Sequence, residues 1–356
     1  MLEPQALLPL ARARCRFALL VGDPKQLPPT LACEPSALGT PLFLRLAHGG
    51  VAPLAMRTQY RLHPALSKLA SELFYDGGVL DGVGARERAP LLPGLPTLAL
   101  LDTSALGGQS HVAGGARAAD GCGSGVCGGL TNHAEAQAVK LLVRALLAAG
   151  IEPSQLGVIC LYRAQVALVS RALGVAPGGP RPPAPASGGG GGCSAAAASE
   201  ATVTVSTVDA FQGAERDVII VSAARTAGGS AGSALAFVAN PNRLCVALTR
   251  ARRHLLLVCS AHVLAANPLW RHALRAARQL PSADAWGALS SAQTARALER
   301  VDDDGACGAD VPAQALDSPH GDADGERKRL SEDGRPRRVT TLALSDSESD
   351  EQPGPL

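Results

Sequence analysis

Five short runs of consecutive apolar residues stand out along the chain. They are Phe17–Val21, Leu95–Asp102, Leu156–Leu161, Val218–Val221 and Leu255–Val258. Each run is too short for a full helix and is mostly aliphatic, so each is predicted to be a strand buried on both faces of a parallel sheet. Ligands of such sheets bind at strand ends and in the loops that follow, and we expect the polar residues that border these runs to lie there.

Helical patterns separate the predicted strands. Pro64 suits the first turn of a helix whose apolar stripe includes Leu66 and Leu69. Two further helices are predicted over Asn132–Ala149, which ends at a glycine, and over Arg163–Leu173. Alternation of strands and helices with short connections predicts an α/β fold, a parallel sheet flanked by helices.

Three segments interrupt or follow this pattern. Residues 107–130 are rich in glycine and residues 174–201 consist mainly of Gly, Pro, Ala and Ser, so both are predicted to be low-complexity insertions. Residues 281–356 contain few large apolar side chains and are predicted to be a disordered acidic tail. The folded body is therefore expected to end near residue 280.

Charge divides the chain at the same place. The formal net charge is +2, but residues 281–356 hold 8 Lys and Arg against 16 Asp and Glu, so the body is basic. A basic body is compatible with a polyanionic partner. In the tail, an aliphatic run at 341–344 precedes an acidic, serine-rich run, which is either a plain acidic tail or a strand offered to a protein partner. The basic clusters at 327–329 and 335–338 suggest nuclear import.

Several function classes are excluded or disfavoured. No apolar run is long enough to span a membrane. Cys122 and Cys127 have no second pair at zinc spacing, which favours a plain loop over a metal site. No G-x-G-x-x-G segment opens a helix after a predicted strand, so a dinucleotide-binding enzyme is disfavoured.

Four segments carry polar and charged residues beside the apolar runs. In chain order they read GDPKQLPPT (22–30), RTQYRLHP (57–64), STVDAFQGAERDVIIVSAART (206–226) and NRLCVALTRARRHLLLV (242–258). Three of them also have an ordinary interpretation. The first is read as a proline-rich turn, the second as a core Tyr60 with a solvated Arg61, and the fourth with Arg250 as a surface helix residue. Asp209 and Asp217 are expected to cap turns or to support a site.

Together these segments resemble motifs III, IV, V and VI of superfamily 1B helicases, the group that includes the nonsense-mediated-decay helicase and senataxin. The connecting text is similar to GRF-type zinc-finger-containing helicases, as in LFYDGGVLDGV (73–83) and NPLW (267–270). The resemblance covers roughly residues 1–280 apart from the two insertions. It implies a RecA-like P-loop NTPase fold, with residues 1–55 as the end of a first RecA-like domain and residues 56–280 as the second.

The resemblance also implies a catalytic set. In such motors ATP binds between two RecA-like domains. Gln26 would sense the γ-phosphate or its attacking water, while Arg61 and Arg250 would be arginine fingers that neutralise the charge developing on the phosphoryl oxygens. ATP and Mg²⁺ would be the cofactors.

Further roles follow by the same resemblance. Tyr60 would stack on the adenine and Glu215 would accept hydrogen bonds from the ribose hydroxyls, with Gly213 and Asp23 completing the cofactor-binding positions. Thr207 would contact a phosphate of single-stranded DNA or RNA, a contact that positions the strand without identifying a base.

One departure from the family pattern concerns the phosphates. A nucleotide motor needs a G-x-x-x-x-G-K-[ST] loop, and the sequence contains no Gly-Lys dipeptide and no Walker B pair. We therefore expect the chain to be the C-terminal portion of a larger helicase, inactive as an ATPase alone, with Phe17–Val21 exposing surface that its missing neighbours would cover.

Two functions of different class remain open. The first is the C-terminal part of an ATP-dependent helicase that translocates 5′ to 3′ on single-stranded nucleic acid. The second is an ATPase-inactive helicase remnant that binds nucleic acid or a protein. The sensor and the two arginines favour the first, whereas the absent phosphate loop favours the second for this polypeptide.

Overall fold

A computed structural model describes residues 2–13, 17–29, 39–106, 109–112, 129–178, 202–226 and 233–280. All of them belong to the unit Met1–Asp317. The predicted insertion over 174–201 lies outside the described residues from 179 onward. The acidic tail with its basic clusters also lies outside the described residues, and so do Cys122 and Cys127.

The described residues form nine α-helices and ten strands. The helices are, in chain order, α1 Glu3–Ala13, α2 Leu42–His48, α3 Pro64–Phe74, α4 His133–Ala148, α5 Arg163–Leu173, α6 Ser233–Ala236, α7 Pro241–Leu248, α8 Ala261–Leu264 and α9 Pro268–Ala276. The strands are β1 Thr58–Gln59, β2 Leu80–Asp81, β3 Leu98–Asp102, β4 Gln109–Val112, β5 Gly129–Asn132, β6 Leu156–Cys160, β7 Thr204–Thr207, β8 Arg216–Ser222, β9 Ala251–Cys259 and β10 Arg278–Gln279.

Six of the strands form one sheet, in the order β10-β3-β9-β8-β6-β7, and every neighbouring pair is parallel. Two small ladders stand apart from it: β1 pairs in parallel with β2, and β4 pairs antiparallel with β5. The fold class expected from the sequence, an α/β parallel sheet flanked by helices, is confirmed.

Alternate residues of the central strands enter two separate cores. Ile220 pairs with Leu256 and packs in the core that includes α4 and α5. The next residue, Val221, pairs with Leu257 and packs in the core that includes α3, α7 and α9. Because successive strand residues point to opposite faces, a continuous apolar run is what a sheet covered on both faces requires.

One predicted strand is wrong. Phe17–Val21 forms no ladder with any described residue, and its Phe17 and Leu19 side chains are 90% and 89% exposed. The apolar pattern was that of a buried strand, but none of the described strands lies beside it to supply hydrogen bonds. In the region of the predicted insertion over 107–130, Gln109–Val112 pairs antiparallel with Gly129–Asn132.

Trp270 anchors α9 to the segment that leads into α7. Its side chain is fully buried and its Nε1 donates a hydrogen bond to the carbonyl of Val238 at 2.8 Å. The helix that carries it begins at a capped end, where Asn267 Oδ1 accepts hydrogen bonds from the amides of Leu269 and Trp270 at 3.0 and 3.1 Å. This cap satisfies amides that the first helical turn leaves without partners.

We expect Asn267→Ala to lower the free energy of unfolding by about 1 kcal/mol, because the two amides lose their acceptor. Chemical denaturation of the full chain measures the effect. Asn267→Asp retains an acceptor oxygen and serves as the matched control, which should unfold close to the wild type. An Asn267→Ala variant as stable as the wild type would show that the cap contributes nothing.

Candidate active site

The predicted site residues other than Thr207 lie together near the amino ends of β8 and β9. Glu215 immediately precedes β8, and Arg250 immediately precedes β9. The first residues of the two strands, Arg216 and Ala251, are direct partners in the sheet. The expectation that these polar residues would follow the strands is therefore wrong for Glu215 and Arg250, because the turns that carry them lead into the strands.

Arg250 is a buried cation at the centre of this cluster. Its side chain is among the largest fully buried ones, at 1% exposure, and its guanidinium donates to Val246 O at 3.1 Å, to Thr249 Oγ1 at 2.9 Å and to Ala214 O at 3.4 Å. No carboxylate of the described residues forms an ion pair with it. Burial, and then the charge of Arg61, lower the pKa of Arg250 to about 10, so it stays protonated near neutral pH.

Gln26 and Asp23 lie against Arg250. Arg250 Nη2 donates to Gln26 Oε1 at 3.5 Å, and Gln26 Nε2 donates to Asp23 Oδ2 at 2.9 Å. Two residues that the sequence did not single out hold this loop: Tyr75 Oη donates to Asp23 Oδ2 at 2.7 Å, and Asn242 Nδ2 donates to Gln26 O at 2.8 Å. Asn242 opens the fourth motif segment and Tyr75 lies in the connecting text at 73–83, but neither was assigned a role from the sequence.

Glu215 is held between two arginines. Arg61 Nε donates to one carboxylate oxygen, and Arg252 donates to the other through Nε at 2.9 Å and Nη2 at 2.7 Å. Burial opposes ionisation of Glu215, but the hydrogen bond from Arg252 and the charge of Arg61 outweigh it, so its pKa lies below the ordinary value. Arg61 also donates to Thr249 O at 3.3 Å, which places it beside Arg250.

Two further predicted residues border the cluster. Tyr60 is 64% exposed, directly before Arg61. Gly213 has φ +86°, a conformation that glycine adopts without strain, two residues before Glu215. Any side chain at Gly213 would strain the turn that presents Ala214 O to Arg250 and Glu215 to the arginines.

Thr207 lies elsewhere. It ends β7, at the carboxyl edge of the sheet, and its Oγ1 accepts a hydrogen bond from Ala210 N at 3.3 Å. The structure therefore does not bring Thr207 into contact with the arginine cluster.

An aromatic pair, Tyr162 and Phe237, stacks with ring centroids 5.0 Å apart, and Arg243 lies 4.1 Å from the Phe237 ring centre.

The two predicted supporting aspartates each face an arginine. Asp209 lies 3.8 Å from Arg243, and Asp217 lies 3.2 Å from Arg253. Arg250, by contrast, is buried in the turn between α7 and β9, so the interpretation of it as a surface helix residue is wrong.

The charges of the cluster suit an anion better than a metal ion. Its carboxylates, Asp23 and Glu215, are occupied by Tyr75 and Gln26 and by two arginines respectively. The described residues contain no group of three His, Cys, Asp or Glu side chains that could hold a metal. Mg²⁺ therefore has no ready ligand set among them, whereas the guanidinium groups of Arg61 and Arg250 match the chemistry of phosphate oxygens.

Comparisons with known proteins identify the family of the chain. A family model described as an AAA domain matches residues 38–262. The chain is 39% identical over 274 residues to the mouse 5'-3' DNA helicase ZGRF1, 32% identical over 281 residues to the Drosophila melanogaster regulator of nonsense transcripts 1 homolog, and 29% identical over 279 residues to the Saccharomyces cerevisiae ATP-dependent helicase NAM7. Each match covers 76% of this chain.

The chain spans only part of these relatives: 13% of the mouse protein, 21% of the Drosophila protein and 25% of the yeast protein. None of the described helices combines the length and apolar character needed to cross a membrane.

The resemblance drawn from the four motif segments is confirmed, and the chain belongs to the superfamily 1B helicases, with a RecA-like AAA domain.

Proposed function

We propose that this chain supplies one side of the ATP site of a helicase that translocates on single-stranded nucleic acid and unwinds duplexes. In this proposal residues 1–55 are the end of a first RecA-like domain and residues 56–280 are the second. The polarity is 5′ to 3′, as the name of the mouse relative states for that protein.

The observation that carries the proposal is the environment of Arg250. A guanidinium taken out of water is costly unless a charge compensates it, and none of the described carboxylates pairs with this one. Its end lies 3.5 Å from Gln26 Oε1, an amide suited to a γ-phosphate or its attacking water. A buried, preorganised cation beside such an amide stabilises charge that develops on a phosphoryl group.

Arg61 is the second finger in this proposal. It donates a hydrogen bond to the carbonyl of Thr249, the residue before Arg250, and it forms an ion pair with Glu215. When Arg61 turns to a phosphate, Arg252 still holds Glu215, so that carboxylate remains ionised and available to ribose hydroxyls. Asp23 orients Gln26, and Gly213 permits the turn that carries Glu215.

Two contacts lie at the periphery. The exposed Tyr60 stacks on the nucleobase. Thr207, at the opposite edge of the sheet, contacts a backbone phosphate of the strand. Phosphate contacts of this kind do not distinguish sequences, and both single-stranded DNA and RNA remain as substrates.

We further propose that a phosphate loop and the Mg²⁺ ligands come from polypeptide outside this sequence, and that the chain alone does not hydrolyse ATP. The absence of a Gly-Lys dipeptide supports this. It also supports the second candidate, an ATPase-inactive module that binds nucleic acid or a protein. Nuclear location, and a protein partner for the acidic tail, are proposals from the sequence of residues 281–356.

A strand-displacement assay separates the two candidates. The chain joined to a phosphate-loop domain should unwind a duplex with a 5′ single-stranded overhang when ATP is present, and should leave a duplex with a 3′ overhang intact. The chain alone should hydrolyse no ATP. If the joined protein binds the overhang but neither hydrolyses ATP nor unwinds either substrate, the binding module is the correct function.

A further inference from the structure

The ring of Tyr60 lies over a glycine of the neighbouring strand segment. β1 and β2 pair with Gln59 opposite Asp81, and the amide of Gly82 then donates to Gln59 O at 2.8 Å. This ladder places Gly82 beside the residue that follows Gln59. As a result, the backbone of Gly82 contacts the aromatic ring of Tyr60.

The contact depends on the absence of a side chain. A Cβ added at Gly82 would lie 2.6 Å from both Cδ1 and Cζ of Tyr60, and closer still to Cε1. Atoms that are not bonded to each other do not approach so closely, so the ring would have to move. The backbone of Gly82 lies outside the left-handed region, so alanine is compatible with its conformation.

The backbone of the Tyr60 loop is fixed independently of Gly82. Gln59 Oε1 accepts hydrogen bonds from the amides of Arg61 and Leu62, both at 2.8 Å. Arg88 donates to the carbonyls of Arg61 and Tyr60 at 2.8 and 2.7 Å. Because these bonds do not involve Gly82, a side chain there would displace the Tyr60 ring rather than the loop or the finger Arg61.

We propose that Gly82 is the positioning residue of the nucleobase contact. The glycine allows the Tyr60 ring to lie against the strand segment, while the residue stays 64% exposed and so keeps aromatic surface for a planar base. Stacking on such a surface is tolerant of base identity, since every base has a π-face. The inference rests on the proposed role of Tyr60 and adds what sets its orientation.

The test compares a ligand with a base and one without it. In the full chain together with the phosphate-loop domain, dissociation constants are measured for ATP and for inorganic tripolyphosphate. Gly82→Ala should weaken ATP binding about tenfold and leave tripolyphosphate binding unchanged, the loss expected for one stacked base. Tyr60→Ala should give the same change, and adding Gly82→Ala to it should change nothing further.

Gly84→Ala is the matched control. A Cβ at Gly84 would meet only Glu87 Oε2, at an ordinary 3.7 Å, so both ligands should bind as in the wild type. Thermal unfolding of Gly82→Ala should match the wild type, because the displaced ring is exposed.

The outcomes distinguish failure of the positioning role of Gly82 from failure of the proposed base contact of Tyr60. A tenfold loss in Gly82→Ala that disappears in the Tyr60→Ala background supports the inference. If Gly82→Ala keeps the wild-type preference for ATP over tripolyphosphate while Tyr60→Ala loses it, the role of Gly82 is disproved. The proposed contact between Tyr60 and the base is then unaffected. Wild-type preference in Tyr60→Ala overturns the base contact, and the inference with it.

Discussion

Replacing Arg250 with methionine is expected to reduce nucleic-acid-stimulated ATP hydrolysis about 10³-fold, the effect expected for loss of an arginine finger. Methionine fills much of the same volume without the charge. The guanidinium points to Gln26 from a site where no described carboxylate neutralises it. Its charge therefore remains available to a phosphoryl group in the transition state.

The same substitution should leave the fold at least as stable. An arginine retained for structure would cost stability when removed, but here the charge is buried without an ion pair among the described residues, and an apolar replacement of similar volume relieves its desolvation. The acceptor Val246 O also receives hydrogen bonds from Thr249 N and Thr249 Oγ1, so it keeps partners. Loss of activity without loss of stability marks a residue kept for catalysis.

Two measurements on one variant check this: steady-state ATPase of the chain with the phosphate-loop domain and single-stranded nucleic acid, and denaturant unfolding of the chain. Arg271→Met, on α9, is the matched control. Arg271 donates to Ala265 O at 2.8 Å, away from the cluster, so its loss should leave the ATPase rate unchanged. ATPase of Arg250→Met within a few-fold of the wild type would disprove the finger assignment.

The sheet was predictable because its strands carry their own signal. Val218–Val221 and Leu255–Val258 are continuous apolar runs, and only burial on both faces accounts for them. The proximity of Gln26, Arg61 and Arg250 was predictable, since the resemblance implies that all three serve one nucleotide. In the structure Arg61 and Arg250 both donate hydrogen bonds to Thr249, and Arg250 also donates to Gln26.

The rest depended on contacts between residues distant in the sequence. Nothing near Tyr75 indicates that its hydroxyl meets Asp23, 52 positions away, and Asn242 reaches the Gln26 loop across 216 positions. The contact between Gly82 and Tyr60 was equally unpredictable, because it exists only when β1 and β2 pair and place the two residues side by side. Phe17–Val21 shows the converse, a strand pattern that no described strand pairs with.

A second large effect, on the pH dependence of stability, is expected from a fully buried carboxyl group at the end of the sheet opposite the arginine cluster. Glu135, in the first turn of α4, is 0% exposed, and its Oε1 accepts hydrogen bonds from Ser222 Oγ at 2.7 Å and Ala224 N at 2.8 Å. Its Oε2 has no hydrogen-bond partner among the described residues. Burial raises the pKa of Glu135 to about 7, although the hydrogen bond from Ala224 and that from Ser222 act against the shift.

The sign of the pH effect follows from this shift. In the unfolded chain Glu135 ionises near its ordinary pKa of 4.5, whereas the folded chain holds the proton to about pH 7. The folded state thus binds more protons between these values, and Glu135 makes stability fall as pH rises through the window. His254 acts oppositely: burial lowers its pKa to about 4, so its contribution rises between pH 4 and 6.5.

Because the two groups offset each other in the wild type, the informative quantity is the difference between a variant and the wild type. Glu135→Gln keeps an oxygen for Ser222 and Ala224 but cannot ionise. Its free energy of unfolding relative to the wild type should rise by about 2 to 3 kcal/mol between pH 5 and pH 8.5. Denaturant unfolding at several pH values measures this difference. A pH-independent difference for Glu135→Gln would mean that the carboxyl group is ionised in the folded chain at pH 5, and that its two donors outweigh its burial.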